Sequence, residues 1–399
     1  MESCKNPNIQ SVNRQNNVLE AGMHLQRESR LLSAPLEIRR AIYAIILPHQ
    51  VHMFLSQGKL RLSVCLQPHL GDDLHDGRER NSRRTSDRPP KSPPSWASRL
   101  GSSWGPHWQC EEISHEHRRS ILYDFTFLCK RVFFDVSDMI TEVAAVNVTD
   151  LETLGILLSR YSQPNNALNC GWNFWAYTCP DNIRKLNLAF RLPVAFYKEL
   201  EDETTIPATG QQMSSKSTVN TSWVSLWPAI FRLQQLRSLH IWLDHDERSS
   251  WSVVKERMAL RHVSDALTAH KKMRAQERGL RHLDVIVNLP KLHPGMAKPD
   301  SHFTQDNSPP PFTIHRRVRQ RWHCIEKESG ELGVDYSPDF PIMEMSREFE
   351  NAFQFSLEFI EEYERRLWES GIDVEAMWEQ EITELSEPAA CWGTMDGTY

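Results

Sequence analysis

The chain lacks the features that usually assign a protein quickly. Nowhere in its 399 residues does an apolar stretch approach the roughly 18 residues of a membrane-spanning helix. The opening residues, MESCKNPNIQSVNRQNN, are polar where a secretory leader carries its apolar core. No excess of positive charge is present. Lys and Arg number 46 against 52 Asp and Glu, a net charge of −6, which argues against a protein built to coat nucleic acid. The 8 cysteines show no paired C-x-x-C spacing. H-E-x-x-H and G-x-G-x-x-G are missing, and no strand-to-helix elbow carries G-x-S-x-G. These absences predict an intracellular protein, cytoplasmic or nuclear, with reduced thiols, no membrane contact and no cofactor.

What is present is a generous supply of core-forming residues. Hydrophobic residues make up 40% of the chain and 13 are Trp, too many for a wholly disordered polypeptide. Polar tracts divide the sequence. Residues 1–28 predict a disordered tail, and residues 71–105, rich in charge, Pro and Ser, a disordered insertion. Residues 29–145 outside that insertion predict a helical region with a β-hairpin over 51–65. Pro35 suits a first helical turn, Glu37 complements the dipole there, and Leu36, Ile38, Ile42, Ile45 and Ile46 recur at mostly helical spacing. Val51, Met53 and Leu55, then Leu60, Leu62 and Val64, alternate about a turn at Gly58. Apolar positions from Leu122 to Val143 predict one or two further helices.

Residues 146–290 carry a recurring unit. Ile183-x-x-Leu186-x-Leu188 is followed by Leu236-x-x-Leu239-x-Ile241 and Leu280-x-x-Leu283-x-Val285, with Arg184, Arg237 and Arg281 after the first apolar position. Helical segments lie between the copies at 225–235 and 251–276, and residues 146–159 read as a degenerate further unit. Strand, helix, strand order predicts a parallel sheet with crossover helices. The copies are longer and less even than leucine-rich repeats of about 20–29 residues. A Pro-rich linker is expected over 291–312. A C-terminal strand and helices follow over 313–399, packing on the α/β region and including a long amphipathic helix over 344–369. The fold class is therefore mixed, α+β or α/β.

Four candidates for chemistry are weak. Asp244-His245-Asp246 lies beyond a strand, where parallel sheets bind ligands, but reads more simply as a solvated turn with Asp246 capping the next helix. His315–His323, with Arg316, Arg317, Arg319 and Arg321, has the composition of a phosphate grip, though its alternation fits an exposed strand paired with the acidic C-terminal helix. Cys110, His115, His117 and Cys129 lack the spacing that preforms a tetrahedral metal site, and Cys129 reads as a buried helical thiol. Gly210–Ser217 lacks the second glycine of a phosphate loop.

Leu31 to Tyr43, LLSAPLEIRRAIY, resembles the opening helix of an F-box, and more closely the filamentous-fungal proteins that begin LLxLPxEIRxxIY. Phe127–Phe133 is similar to the LLxVCKxxY helix of those proteins. Leu236–Asp246 with Trp251 and Arg257 resembles their LxxLxIWLDxD…W…ER segment. The resemblance implies docking onto a Skp1-type adaptor through Pro35, Leu36, Glu37, Ile38, Ile42 and Tyr43, while a leucine-rich-repeat-like layer selects an unknown protein target. This sequence departs from a compact F-box in the long interval between Tyr43 and the Cys-Lys helix. The reading is a non-catalytic substrate adaptor of a cullin-type ubiquitin ligase. The alternative is a scaffold that uses the same helix structurally and has no link to ubiquitin. An enzyme using Asp244–Asp246 stands third and a nucleic-acid binder fourth.

Overall fold

The computed structural model describes residues 29–56, 58–65, 107, 110, 128–162, 180–202, 217–245, 250–276, 282–292, 296–304, 309–317, 320–327 and 329–338, with 363, 366, 367, 370 and 372. The expected disordered tail and insertion, and nearly all of the expected helix over 344–369, lie outside these residues. Two helices come first, α1 (Arg30–Ser33) and α2 (Leu36–Ile46), followed by a hairpin of β1 (Gln50–Ser56) and β2 (Lys59–Val64). Ser56 faces Lys59 across a two-residue turn, and Gly58 takes the left-handed conformation, φ 69°, that such turns require. Next come α3 (Lys130–Val143), β3 (Ala145–Val148), α4 (Leu151–Ser162), β4 (Lys185–Leu192), α5 (Val194–Asp202), α6 (Ser217–Ile230) and β5 (Ser238–His245). A 3-10 turn at Trp251–Val253 leads into α7 (Glu256–Ala259), α8 (Arg261–Gln276), β6 (Asp284–Pro290) and β7 (Thr313–Arg317). The strands β8 (Gln320–Glu326) and β9 (Leu332–Pro338) form a separate antiparallel pair.

Seven strands make one sheet in the order β2-β1-β3-β4-β5-β6-β7, antiparallel only at the hairpin. β3 joins beside β1, and each later strand joins beside the one before it. Right-handed crossovers in one unchanging direction place their helices on a single face, and the core sits there. Val51, Val146, Leu186, Leu239 and Val285 stand side by side in register, and Met53, Val148, Leu188, Ile241, Val287 and Ile314 form the next row. Leu154, Leu157, Trp223, Trp227, Ile230, Val263 and Leu267 of α4, α6 and α8 close over these rows in one continuous core. Trp223 is its centre, edge-on to Trp227 at 4.8 Å and to Phe196 at 5.6 Å, both favoured geometries for ring quadrupoles. Asp150 fastens the start of α4, accepting from the Thr153 N–H and hydroxyl at 2.6 Å each.

The degenerate unit at 146–159 is thus a genuine strand–helix pair. The third copy of the repeat needs correction. Leu186 pairs with Leu239, but Leu239 pairs with Val285, two residues on from the position that the spacing predicts. Because side chains alternate with a period of two, the slip keeps apolar residues on the core face and leaves the motif spacing looking intact. The Pro-rich tract expected as a linker also differs, since His302 and Phe312 are buried within it.

His270 on α8 is buried beside Phe231, with ring centroids 5.7 Å apart. Burial, then the Arg274 charge, holds its pKa below the ordinary 6.5. The unfolded chain therefore takes up this proton more readily. The contribution to stability is complete above the unfolded value and is lost as pH falls through 6.5 toward the folded value. His270→Phe is expected to blunt that loss. Urea midpoints at about pH 7.5 and about pH 5.5 for the two proteins measure it.

Candidate functional site

The helix α2 is built with two opposite faces. Leu36, Ile38, Ile42 and Ile45 are exposed at 41%, 53%, 37% and 87%. Ile38, Ile42 and Ile45 fall at i, i+4 and i+7, a single stripe. Pro35 and Glu37 are also exposed. On the other side Arg39 and Tyr43 are buried. Tyr43, grouped with the docking residues by resemblance, belongs to the same core as the sheet, so its ring contributes no docking surface. Burial, reinforced by the Asp135 charge, pushes its phenol pKa up.

Arg39 is what orients the helix. Its Nε lies 2.9 Å from Asp135 Oδ2 on α3, and its Nη1 donates to the carbonyls of Leu32 and Ala34, each at 3.3 Å. Burial raises the Asp135 pKa in spite of Arg39 and Arg131, which pull it down. A second, more exposed set joins Arg40 and Arg184 to Glu142 at 3.5 and 3.4 Å. Val143 at the end of α3 and Leu128, two residues before its start, are also exposed. A shallow depression lined by Ala44, Leu47, Pro48, His49, Met139 and Val143 lies between the helices.

Asp244 and His245 are buried at the end of β5 rather than in a solvated turn, and Asp246 lies outside the described residues. Successive side chains of a strand point to opposite faces. His245 stacks on Trp251 at 5.8 Å, while the Asp244 carboxylate accepts the His245 N–H at 2.8 Å. The two do not converge as an acid and a base would. The helix start expected near 249 is fixed instead by Ser250, whose hydroxyl accepts from Ser252 N.

The basic cluster is also rearranged. It is not one strand but the end of β7 and the start of β8. Arg316 turns inward and meets the wholly buried carboxylate of Glu256 with both terminal nitrogens, Nη2 to Oε2 at 2.7 Å and Nη1 to Oε1. Glu256 also accepts Trp251 Nε1–H at 2.7 Å and Phe303 N–H at 3.0 Å. An internal partner was expected on the C-terminal helix; Glu256 takes that place. The W…ER residues of the resemblance, Trp251, Glu256 and Arg257, all serve this corner, Arg257 donating to the Pro299 carbonyl at 2.7 Å.

The face of the sheet away from the core carries a polar line, His52, Asn147, Asn187 and His240, in register. Asn187 donates to Asn147 at 3.0 Å. Beside this line at the hairpin, the potential ligand atoms of His52, His107 and Cys110 all lie within 4.8 Å of one another. Cys65 Sγ is 3.6 Å from His107 Nδ1. Sequence reasoning grouped Cys110 with His115, His117 and Cys129 instead. Of those, Cys129 is the N-cap residue of α3, not an interior helical thiol, and His115 and His117 lie outside the described residues. Gly210–Lys216 and the string Gly101-Ser102-Ser103-Trp104-Gly105, which matches G-x-S-x-G in letters, lie outside them as well. Among the described residues no helix is long and apolar enough to cross a membrane. No family model, curated protein or solved structure matches the chain.

Proposed function

We propose that the chain is a non-catalytic protein–protein interaction module, an F-box-like substrate adaptor of a cullin-type ubiquitin ligase. The exposed stripe of Leu36, Ile38, Ile42 and Ile45 carries this reading. An amphipathic helix normally buries its apolar stripe. Here the buried side is held by Arg39 and Tyr43, and four large apolar side chains remain exposed on one element. A helix-shaped hydrophobic surface suits helix packing with a Skp1-type adaptor. The one-directional order of parallel strands supports a leucine-rich-repeat-like layer that selects a protein target. Such a protein acts in the cytoplasm or nucleus by positioning its target near a separate transfer enzyme.

A scaffold without a ubiquitin link is the second reading. It is favoured by the sharing of one core between Tyr43, Leu47 and the sheet, because a separable F-box would have its own. Co-purification with a Skp1-type adaptor tests the first. Wild type is expected to retain the adaptor and Leu36→Ala/Ile38→Ala to lose it while keeping the same circular dichroism. A folded wild type that retains none removes the adaptor reading and leaves the scaffold.

A further inference from the structure

We propose that His52, Cys65, His107 and Cys110 form a zinc site that fastens the β1–β2 hairpin to the chain around 107–110. The four residues come from three separate pieces of backbone. His52 is on β1, and Cys65 directly follows β2, its N–H donating to the Gln50 carbonyl at 3.1 Å. That bond continues the antiparallel ladder, so Cys65 faces Gln50 and projects from the same side of the hairpin as His52. His107 and Cys110, three residues apart in the sequence, each have helical backbone. His52, His107 and Cys110 are buried, at 0%, 3% and 0% exposure, and Cys65 is half-buried.

The distances suit one metal. Zn–S of about 2.3 Å and Zn–N of about 2.0 Å at a tetrahedral angle place S and N roughly 3.5 Å apart. Cys65 Sγ and His107 Nδ1 are 3.6 Å apart. The potential ligand atoms of His52, His107 and Cys110 lie within 4.8 Å of one another, and Cys65 joins them through its contact with His107. The His52 and His107 rings are 5.1 Å apart and tilted by 30°, close enough for both to turn a nitrogen to a common centre. Two imidazoles and two thiolates exclude hard cations such as Mg2+ and Ca2+ and favour zinc. Two thiolates also neutralise the ion, and a neutral assembly tolerates burial where a bare charge does not. No oxidant or reductant is involved: each thiol gives up its proton to solvent as the metal binds.

Cobalt titration of the full-length chain, stripped of metal by chelator, is the test. About one equivalent is expected to bind, giving the intense visible bands of a tetrahedral ion and a near-ultraviolet thiolate charge-transfer band, both bleached by zinc. Cys110→Ser and His107→Ala are expected to weaken binding by more than about 100-fold, beyond what outer-shell changes cause. Cys65→Ser is expected to halve the charge-transfer band, and Cys129→Ser to leave it unchanged. Should a variant fail to fold, the wild type decides alone. A colourless titration of wild-type chain overturns the site, and so does a tetrahedral thiolate spectrum that survives in folded Cys110→Ser.

Discussion

Glu256→Ala is expected to lower the unfolding free energy by about 3–5 kcal/mol, the cost of breaking a buried ion pair from one side. Glu256 is wholly buried and accepts from Trp251, Phe303 and Arg316 together. Removing it takes their acceptor from the Trp251 indole N–H and the Phe303 N–H, and leaves the Arg316 guanidinium with the carbonyls of Pro290 and Phe303 alone. Chemical denaturation reads the loss as a shifted midpoint. Glu256→Gln keeps the shape and one acceptor oxygen, so its loss is expected to be smaller. A midpoint unchanged in Glu256→Ala would mean that this corner does not anchor β7 to the sheet.

Arg39→Ala is the second large effect, about 3 kcal/mol or more. The substitution strands the Asp135 carboxylate in a site whose burial already disfavours its charge. It also releases the carbonyls of Leu32 and Ala34 at the junction of α1 and α2. Arg39→Ala/Asp135→Ala is expected to recover part of the loss, because the double variant leaves neither charge alone. Equal losses in single and double variants would place the stabilisation elsewhere. The exposed Ile38→Ala, by contrast, is expected to move the midpoint by less than about 0.5 kcal/mol.

The strands up to β6 were easy to read from the sequence, while β9 (Leu332–Pro338), register and partnership were not. The alternation of Val51, Met53 and Leu55 and the unit at 146–159 follow from local patterning, and they appear as a strand and as a strand–helix pair. The two-residue slip at Val285 was hidden by the very period that made the strand visible. Arg316 looked like surface charge because nothing local distinguishes a guanidinium that meets solvent from one that meets Glu256, sixty residues away. The His–Cys cluster was hidden in a similar way. Half of it, His107-x-x-Cys110, is close in sequence, but its counterpart is split across a hairpin, with Cys65 and His107 42 residues apart. Alternation on β1 and β2 placed His52 and Cys65 on one side of the hairpin, which was the available signal. On α2, periodicity marked the apolar stripe but not which side the core would take. That was decided by Arg39 and Tyr43 facing inward.

The most direct test of the docking claim is a calorimetric titration of the purified chain with a purified Skp1-type adaptor, beside Ile38→Asp/Ile45→Asp. Both positions are exposed, at 53% and 87%, so the paired substitution is expected to leave folding intact. Saturable binding by wild type, with affinity lowered at least about 100-fold in the variant, is the outcome expected when an apolar stripe is the contact. Equal affinities for the two folded proteins, or no heat of binding from wild type, would contradict it.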